Sequence, residues 1–338
     1  MRKFHFFVCR NGYGHLKRVF SVTRELMQFP ECVYITIHCN AGQLQNTKTW
    51  EDFHVINKAK NVCFEFEFMQ NSPRYSDEET FANTLKWLGH IKESKRNIEG
   101  TIVIDNDIAL LHLFPKAIVM GSFYWKDILD PLKHGDWIRF EEELIKKYNP
   151  IHIGVEKMAM HSVRNRNQFV GLPWFAIPGL GRQTPMHKRK SLLVTGGGTG
   201  SYNQRLLEIA ISLKDMELEI YVDSKLFAFS NASFPLFSFS EEDFSHLKAV
   251  ICRPGMGILN DCVSYAIPIF AVEDCQNKEL MYNADRVVAM KVGNKVNNVK
   301  EIVVVLEQEN LLAYYHENLL NQEMNGATQA ATYLMGVN

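Results

Sequence analysis

Short apolar runs recur along this chain, each bounded by turn residues and followed by a stretch with helical spacing. In the first half they are FHFFVC (4–9), CVYITIHC (32–39), CFEFEFM (63–69), TIVID (101–105), AIVMG (117–121) and IHIGV (151–155). In the second they are SLLVTG (191–196), LEIYVD (218–223), AVICR (249–253), PIFAV (268–272) and VVAMKV (287–292). Several are apolar throughout, the pattern of parallel strands covered on both faces, whereas CFEFEFM alternates as an edge or half-exposed strand does. After the first run, Leu16, Val19, Phe20, Leu26 and Met27 share one helical stripe, with Lys17, Arg18, Arg24 and Glu25 largely off it. Strand alternating with helix throughout predicts an α/β, doubly wound architecture.

One stretch breaks this rhythm. GLPWFAIPGLGRQTPMHKRK (171–190) holds three prolines, three glycines and a basic cluster, the punctuation of a linker. The expected organisation is an N-terminal domain over 1–170, a linker over 171–190, a C-terminal domain over 191–310 and a helical tail over 311–338. A chain of 338 residues is long enough for two such cores.

Composition narrows the classes. Apolar residues make up 46% and charged residues 22%, and the formal net charge is -1, so no polyelectrolyte field points to nucleic acid. MHKRK (186–190) is a local basic patch only. The seven cysteines form no CxxC pair and lie mostly in strand-like runs, which reads as reduced thiols and a cytoplasmic chain. MRKFHFFVC is interrupted by His5 and short for a leader, so it is read as the first strand. No run approaches the ~18 apolar residues of a membrane span. Peripheral membrane contact stays open.

Two strand–glycine–helix turns carry candidate chemistry. RNGYGHLKR (10–18) sets Gly12, Gly14 and His15 where a helix begins. LLVTGGGTGSYNQRLLEIA (192–210) has Gly196, Gly197, Gly198 and Gly200, with Thr199 and Ser201 as hydroxyl donors. Glycine lets backbone N–H groups approach a diphosphate, and the helix start adds partial positive charge. A ligand-free connection is the alternative at each turn. A dinucleotide site is another: Asp223 ends the next strand, where a ribose-binding acid would sit, although Ser201 replaces the third glycine of G-x-G-x-x-G.

The segment AVICRPGMGILNDCVSYAIPIFAVEDCQNKELMYNADRVVAMKVG (249–293) resembles the C-terminal domain of GT-B glycosyltransferases. The likeness is in particular to the peptidoglycan N-acetylglucosaminyltransferase family and its UDP-glycosyltransferase relatives. It is carried by Arg253 at a strand end, the Pro254-Gly255 turn, Asp261 on the helix that follows, Pro268, and Asn283-Ala284. Both glycine turns and VGLPW (170–174) extend it thinly over most of the chain. The resemblance implies an α/β, GT-B fold: two Rossmann-like doubly wound domains facing across a cleft, with the C-terminal helix packing back on the N-terminal domain. It also implies sugar transfer from a nucleotide-diphosphate sugar, UDP before dTDP or GDP, to an acceptor hydroxyl, inverting and without metal.

On that likeness the diphosphate falls to Gly197, Gly198, Thr199, Gly200 and Ser201 and to Arg253, Gly255, Met256 and Gly257. Asp261 would accept ribose hydroxyls, and Glu279 and Asn283 would meet the donor sugar, although Glu279-Leu280 departs from the family's Gln or Asp-Gln. His15 would be the base that deprotonates the acceptor, a role that suits a side chain with an ordinary pKa near working pH. Asp105, ending TIVID, would orient it, with a capping acid as the alternative. Gly12, Gly14, Arg18 and Trp125 make up the acceptor or phosphate side, Arg18 reaching a phosphate or being solvated, and Trp125 forming a platform or packing.

DND (105–107) matches the Asp-x-Asp pattern that binds a divalent ion in the other major glycosyltransferase fold, but two strand–helix halves headed by glycine turns argue for no metal. Zinc-ligand spacings and a G-x-S-x-G elbow are absent. The expected partners are a nucleotide-sugar donor and an acceptor (glycan, lipid-linked or small molecule), with no other cofactor. The competing readings are a nucleotide-sugar hydrolase of the same fold, a non-catalytic nucleotide-sugar-binding protein, and a dehydrogenase.

Overall fold

The computed structural model describes residues 1–44, 62–69, 80–94, 98–197, 203–274 and 276–337. Its chain separates into two compact units, Met1–Phe175 with Gly326–Asn338, and Ala176–Asn325.

The described residues of the first unit build a seven-stranded sheet from β1 (Arg2–Val8), β2 (Val33–Cys39), β3 (Val62–Phe68), β4 (Thr101–Asp105), β5 (Ile118–Met120), β6 (His152–Val155) and β7 (Phe169–Leu172). The order is β3-β2-β1-β4-β5-β6-β7, with every pair parallel. Phe4, Phe6, Phe7 and Val8 of β1 are all buried, because helices cover both faces of a parallel sheet. β3 lies at the edge, and its exposed Cys63 and Glu65 account for the alternation of CFEFEFM. Helix α1 (Tyr13–Leu26) buries Leu16, Val19, Phe20 and Leu26 on the stripe read from the sequence.

Strand order fixes where chemistry can sit. From β1 the chain runs outward to β2 and β3, then returns to lay β4 on the other side of β1. The carboxyl ends of β1 and β4 are therefore a topological switch point, where ligands bind in open α/β sheets. Val8 pairs with Asp105 there, and Cys9 N–H donates to the Asp105 carbonyl at 3.1 Å. After β5 come the short helix α2 (Trp125–Ile128) and the long α3 (Pro131–Tyr148).

The second unit carries β8 (Ser191–Thr195), β9 (Glu219–Val222), β10 (Leu247–Cys252), β11 (Ile269–Val272) and β12 (Gly293–Val296), parallel in the order β12-β11-β10-β8-β9. Leu192, Val194, Ile220, Ala249, Ile251 and Phe270 lie in its core. Its helices include α4 (Asn203–Ser212), α5 (Ser224–Phe229), α6 (Met256–Tyr265), α7 (Lys278–Ala289) and α8 (Glu309–Leu320). The switch point lies between β8 and β10, where Thr195 pairs with Cys252. VVAMKV, expected as a strand, is instead the end of α7 and the turn after it. Leu280, Ala284 and Val287 form a buried stripe at helical spacing, and Lys291 at φ 57 reverses the chain into β12.

The Pro/Gly-rich stretch from Ala176 is part of the second unit and is held there by two buried arginines. Arg182 donates to the carbonyls of Val263 and, at 2.6 Å, Leu319. Arg189, 2% exposed, donates to the carbonyls of Thr184, Leu247 and Tyr265 at 3.0–3.1 Å. Val263 and Tyr265 are at the end of α6 and Leu319 at the end of α8, where the helix-end carbonyls carry partial negative charge. Burial, and then the Arg182 charge, lower the Arg189 guanidinium to about 10.

The last helix, α9 (Gly326–Gly336), packs on α1 of the first unit. Thr328 donates to Glu25 at 2.8 Å, and Arg2 donates to the Met335 carbonyl. Gly326 starts it because any Cβ would fall 2.1 Å from the Pro173 carbonyl oxygen. Among the described residues no helix is long and apolar enough to cross a membrane.

Candidate active site

In the first unit the site grows from the turn between β1 and α1. Gly12 adopts φ 100, ψ 170, a conformation that side chains disfavour, and this lets α1 begin at Tyr13 directly above the strand end. Gln43, buried and unremarked in the sequence, donates from Nε2 to the carbonyls of Cys9 and Gly12 at 2.9 and 3.0 Å. The turn is thus held from β2's side as well. Gly14 and His15 lie in the first helical turn, and Arg18 lies three residues on, on the same face.

Asp105, at the end of β4, is fully buried beneath that face. His15 Nδ1 is 3.1 Å from Asp105 Oδ1, and the His15 side chain retains 13% exposure. Arg18 is neither solvated nor turned outward to a phosphate. It is 7% exposed and its Nη2 donates to the same Asp105 Oδ1, because a buried carboxylate needs a counter-charge more than a surface does. The Cys9 thiol beside this cluster is pushed well above its ordinary pKa by burial, so it offers no competing thiolate.

Asn106 follows at φ 57, and its side-chain amide is buried without a hydrogen-bond partner among the described residues. Its carbonyl accepts the Trp125 indole N–H at 2.7 Å. Trp125 is 6% exposed and packs edge-on against Phe123, so it is a core residue rather than a platform. Buried Glu141 accepts the N–H groups of Trp125 and Lys126 at 3.1 and 2.6 Å, and burial raises its carboxyl to about 8. No residue pattern announced Gln43, Asn106 or Glu141. Each acts through a partner distant in sequence.

In the second unit the β8 turn is described as far as Gly197; Gly198, Thr199, Gly200 and Ser201 lie outside the described residues. Asp223, weighed above as a ribose acid, is buried at the start of α5 with both oxygens occupied. Oδ1 accepts the N–H groups of Lys225 and Leu226 at 2.9 Å. Oδ2 accepts Thr195 Oγ1 at 2.7 Å, Gly196 N–H at 2.9 Å and Gly197 N–H at 3.3 Å. The Gly197 N–H therefore faces the acid, which corrects the expectation that it cradles a diphosphate. Short-range packing of Asp223 behind the turn is the reason.

The neighbouring turn is differently built. Arg253 N–H donates to the Thr195 carbonyl at 3.1 Å, which sets the two turns side by side. The Arg253 Nε lies 3.7 Å from Asp274 Oδ2. Gly255 caps α6 with no side-chain cap, and a Cβ there would meet nothing within 4 Å. Met256 and Gly257 are the first helical residues, so their N–H groups have no intrahelical acceptor and add to the positive end of the helix. Asp261 is half-buried farther along α6, and Glu279 is half-buried in the first turn of α7. Asn283 is buried, and its Nδ2 donates to the Pro254 carbonyl at 2.9 Å. It braces the turn rather than presenting its amide to a sugar. Among the described residues no three His, Cys, Asp or Glu side chains are grouped to hold a metal ion.

No protein-family model and no curated protein matches this sequence. Solved structures do match, over nearly the whole chain. The calicheamicin glycosyltransferase CalG4 aligns with a TM-score of 0.66 at 12% identity, covering 99% of this chain and 98% of its own. Medicago truncatula UGT71G1, solved with UDP-glucose, matches with the same TM-score, identity and coverage. Acinetobacter baumannii MurG matches at TM-score 0.60 and 11% identity, covering all of both chains. With its two parallel sheets and their helices, this chain has the fold of the GT-B glycosyltransferases.

Proposed function

We propose that this protein is a glycosyltransferase that moves a sugar from a UDP-linked donor to an acceptor hydroxyl, with inversion and without metal or other cofactor. The observation that carries the reading is the contact between His15 Nδ1 and the buried Asp105 Oδ1 at the β1/β4 switch point. Asp105 accepting from Nδ1 leaves Nε2 with a lone pair. Nε2 takes the proton of the acceptor hydroxyl as its oxygen attacks the anomeric carbon. The bond from that carbon to the diphosphate oxygen breaks, and its electron pair leaves with the diphosphate. In the second unit the N-terminus of α6, capped by Gly255, is the kind of group that stabilises the charge on a departing diphosphate. UDP-glucose bound to one structural neighbour supports UDP as the carrier.

The test is UDP release from UDP-glucose and UDP-N-acetylglucosamine, with and without a panel of hydroxyl acceptors. The expected result is release that an acceptor stimulates, that EDTA leaves unchanged and that His15→Ala lowers by about 100-fold or more. Full-rate release without any acceptor would make water the acceptor and the protein a hydrolase. Binding of NADH without binding of UDP would sink the reading altogether.

A further inference from the structure

Arg18, His15 and Asp105 meet through very few atoms. Arg18 Nη2 donates to Asp105 Oδ1 and also lies 3.3 Å from His15 Nδ1, which is itself 3.1 Å from that same oxygen. Asp105 Oδ2 and Arg18 Nε are buried and lack hydrogen-bond partners among the described residues. The ion pair is therefore not two-pronged, and Oδ1 alone serves both cationic and ring donors.

The hydrogen-bonding chemistry of the three groups is unequal. A guanidinium only donates, an ionised carboxylate only accepts, and a neutral imidazole has one nitrogen of each kind. Were Arg18 the partner of Nδ1, the ring proton would sit on Nε2, and Nε2 could accept nothing. With Asp105 as the partner, Nδ1 carries the proton and Nε2 keeps its lone pair. Arg18 Nη2 donates to Asp105 Oδ1 and stands 3.3 Å from Nδ1, long for a hydrogen bond, so the geometry leaves Nδ1 to donate to the carboxylate.

We infer that Arg18 is a positioning residue for His15. By donating to Asp105 Oδ1 it pins that oxygen on the Nδ1 side of the ring and supplies the carboxylate's counter-charge, so His15 holds one proton, on Nδ1. The inference rests on His15 being the base of the proposed reaction. A fully buried carboxylate does not stay unpaired. Without the Arg18 guanidinium, the described residues leave Asp105 the His15 imidazole as its hydrogen-bond partner, and the unbalanced carboxylate then favours a second proton on that ring at the cost of the lone pair the reaction needs. Arg18 thus lets Asp105 orient the histidine without charging it.

Nitrogen NMR of the full-length protein with labelled histidine rings reads this directly, the His15 signals being assigned by their loss in His15→Gln. At neutral pH the wild-type ring is expected to show a protonated Nδ1 and an unprotonated Nε2. Arg18→Met is expected to show both nitrogens protonated. Its kcat for UDP-glucose turnover should fall about 10- to 100-fold with KM within about twofold, as when a base is lost but binding is not. Arg18→Lys, which restores the cation, should return the single-proton signature and most of kcat. A wild-type proton on Nε2, or an Arg18→Met ring identical to wild type, overturns the inference. Should Arg18→Met not fold, Arg18→Gln, which can donate but carries no charge, decides by the same signature. If the ring signatures move as expected while the wild-type protein transfers no sugar, the sugar-transfer reading falls and the role of Arg18 stands.

Discussion

The turns after β1 and after β8 look alike in sequence, glycines between a buried strand and a helix, yet they are built to different ends. Each has an acid on another strand's carboxyl end behind it. After β1 that acid is Asp105, and what it meets are side chains, His15 and Arg18. After β8 it is Asp223, and what it meets are Thr195 Oγ1 and the main-chain N–H groups of Gly196 and Gly197. One carboxylate holds two side chains of the following helix; the other takes up the hydroxyl and main-chain amides of the turn itself. Glycines mark where backbone can approach something closely, and the acid behind the turn decides whether that something is a ligand or the protein itself.

The largest effect that would break this contrast is at His15. His15→Ala should lower the rate of sugar transfer about 10²- to 10⁴-fold, the range of general-base catalysis, while the UDP-induced rise in melting temperature stays within a degree or so. A variant that kept its activity would reduce the β1 turn to a structural corner like the other. Asp223→Ala should act mainly on stability. It strips the acceptor from the Thr195 hydroxyl and from the Gly196, Lys225 and Leu226 N–H groups, a loss of about 2–4 kcal/mol in urea unfolding. Unchanged stability would mean the carboxylate is free for a ligand after all.

Acid should weaken the first unit through His152. Burial holds its pKa near 3, with ring nitrogens 3.1 Å from Tyr124 Oη and 3.0 Å from the Gly121 carbonyl. The folded ring stays neutral while the unfolded one takes a proton below its ordinary 6.5. Stability present above that value is therefore lost as pH falls toward 3, by up to about 1.4 kcal/mol per unit for this one group. His152→Gln should flatten that slope; an unchanged slope would place the acid sensitivity elsewhere. The smallest effects separate the glycines. Gly12→Ala, at φ 100, should cost about 1–2 kcal/mol, whereas Gly255→Ala, at φ -74 with open space around its Cβ, should stay within about 0.5 kcal/mol. Equal costs would say that both turns use glycine for the same reason.

Strands were legible because burial on both faces leaves a local mark: FHFFVC, TIVID and AVICR are apolar almost throughout, and each lies in the core of its sheet. VVAMKV misled because a short apolar run has no period of its own, and the helical stripe through Leu280, Ala284 and Val287 claims it. Arg18, read as phosphate-reaching or solvated, and Trp125, read as a platform or as packing, were left unsettled for a related reason. The sequence shows that one is charged and one aromatic, but not that Asp105 and the Asn106 carbonyl wait beside them from another strand.

The repeating apolar runs, the turns between them and the identity of the chemical groups at each strand end belong to the sequence, since propensity and local patterning act over a few residues. His15 and Asp105 were both visible there as members of a pair. That Asp105 is fully buried, shared by Arg18 through a single oxygen, and that Asp223 faces inward onto its own glycine turn, depend on residues 27 to 90 positions apart being brought together. Strand order did this. Placing β4 beside β1, and β10 beside β8, is a choice among sheet topologies made by the whole core, and no window of the chain contains it.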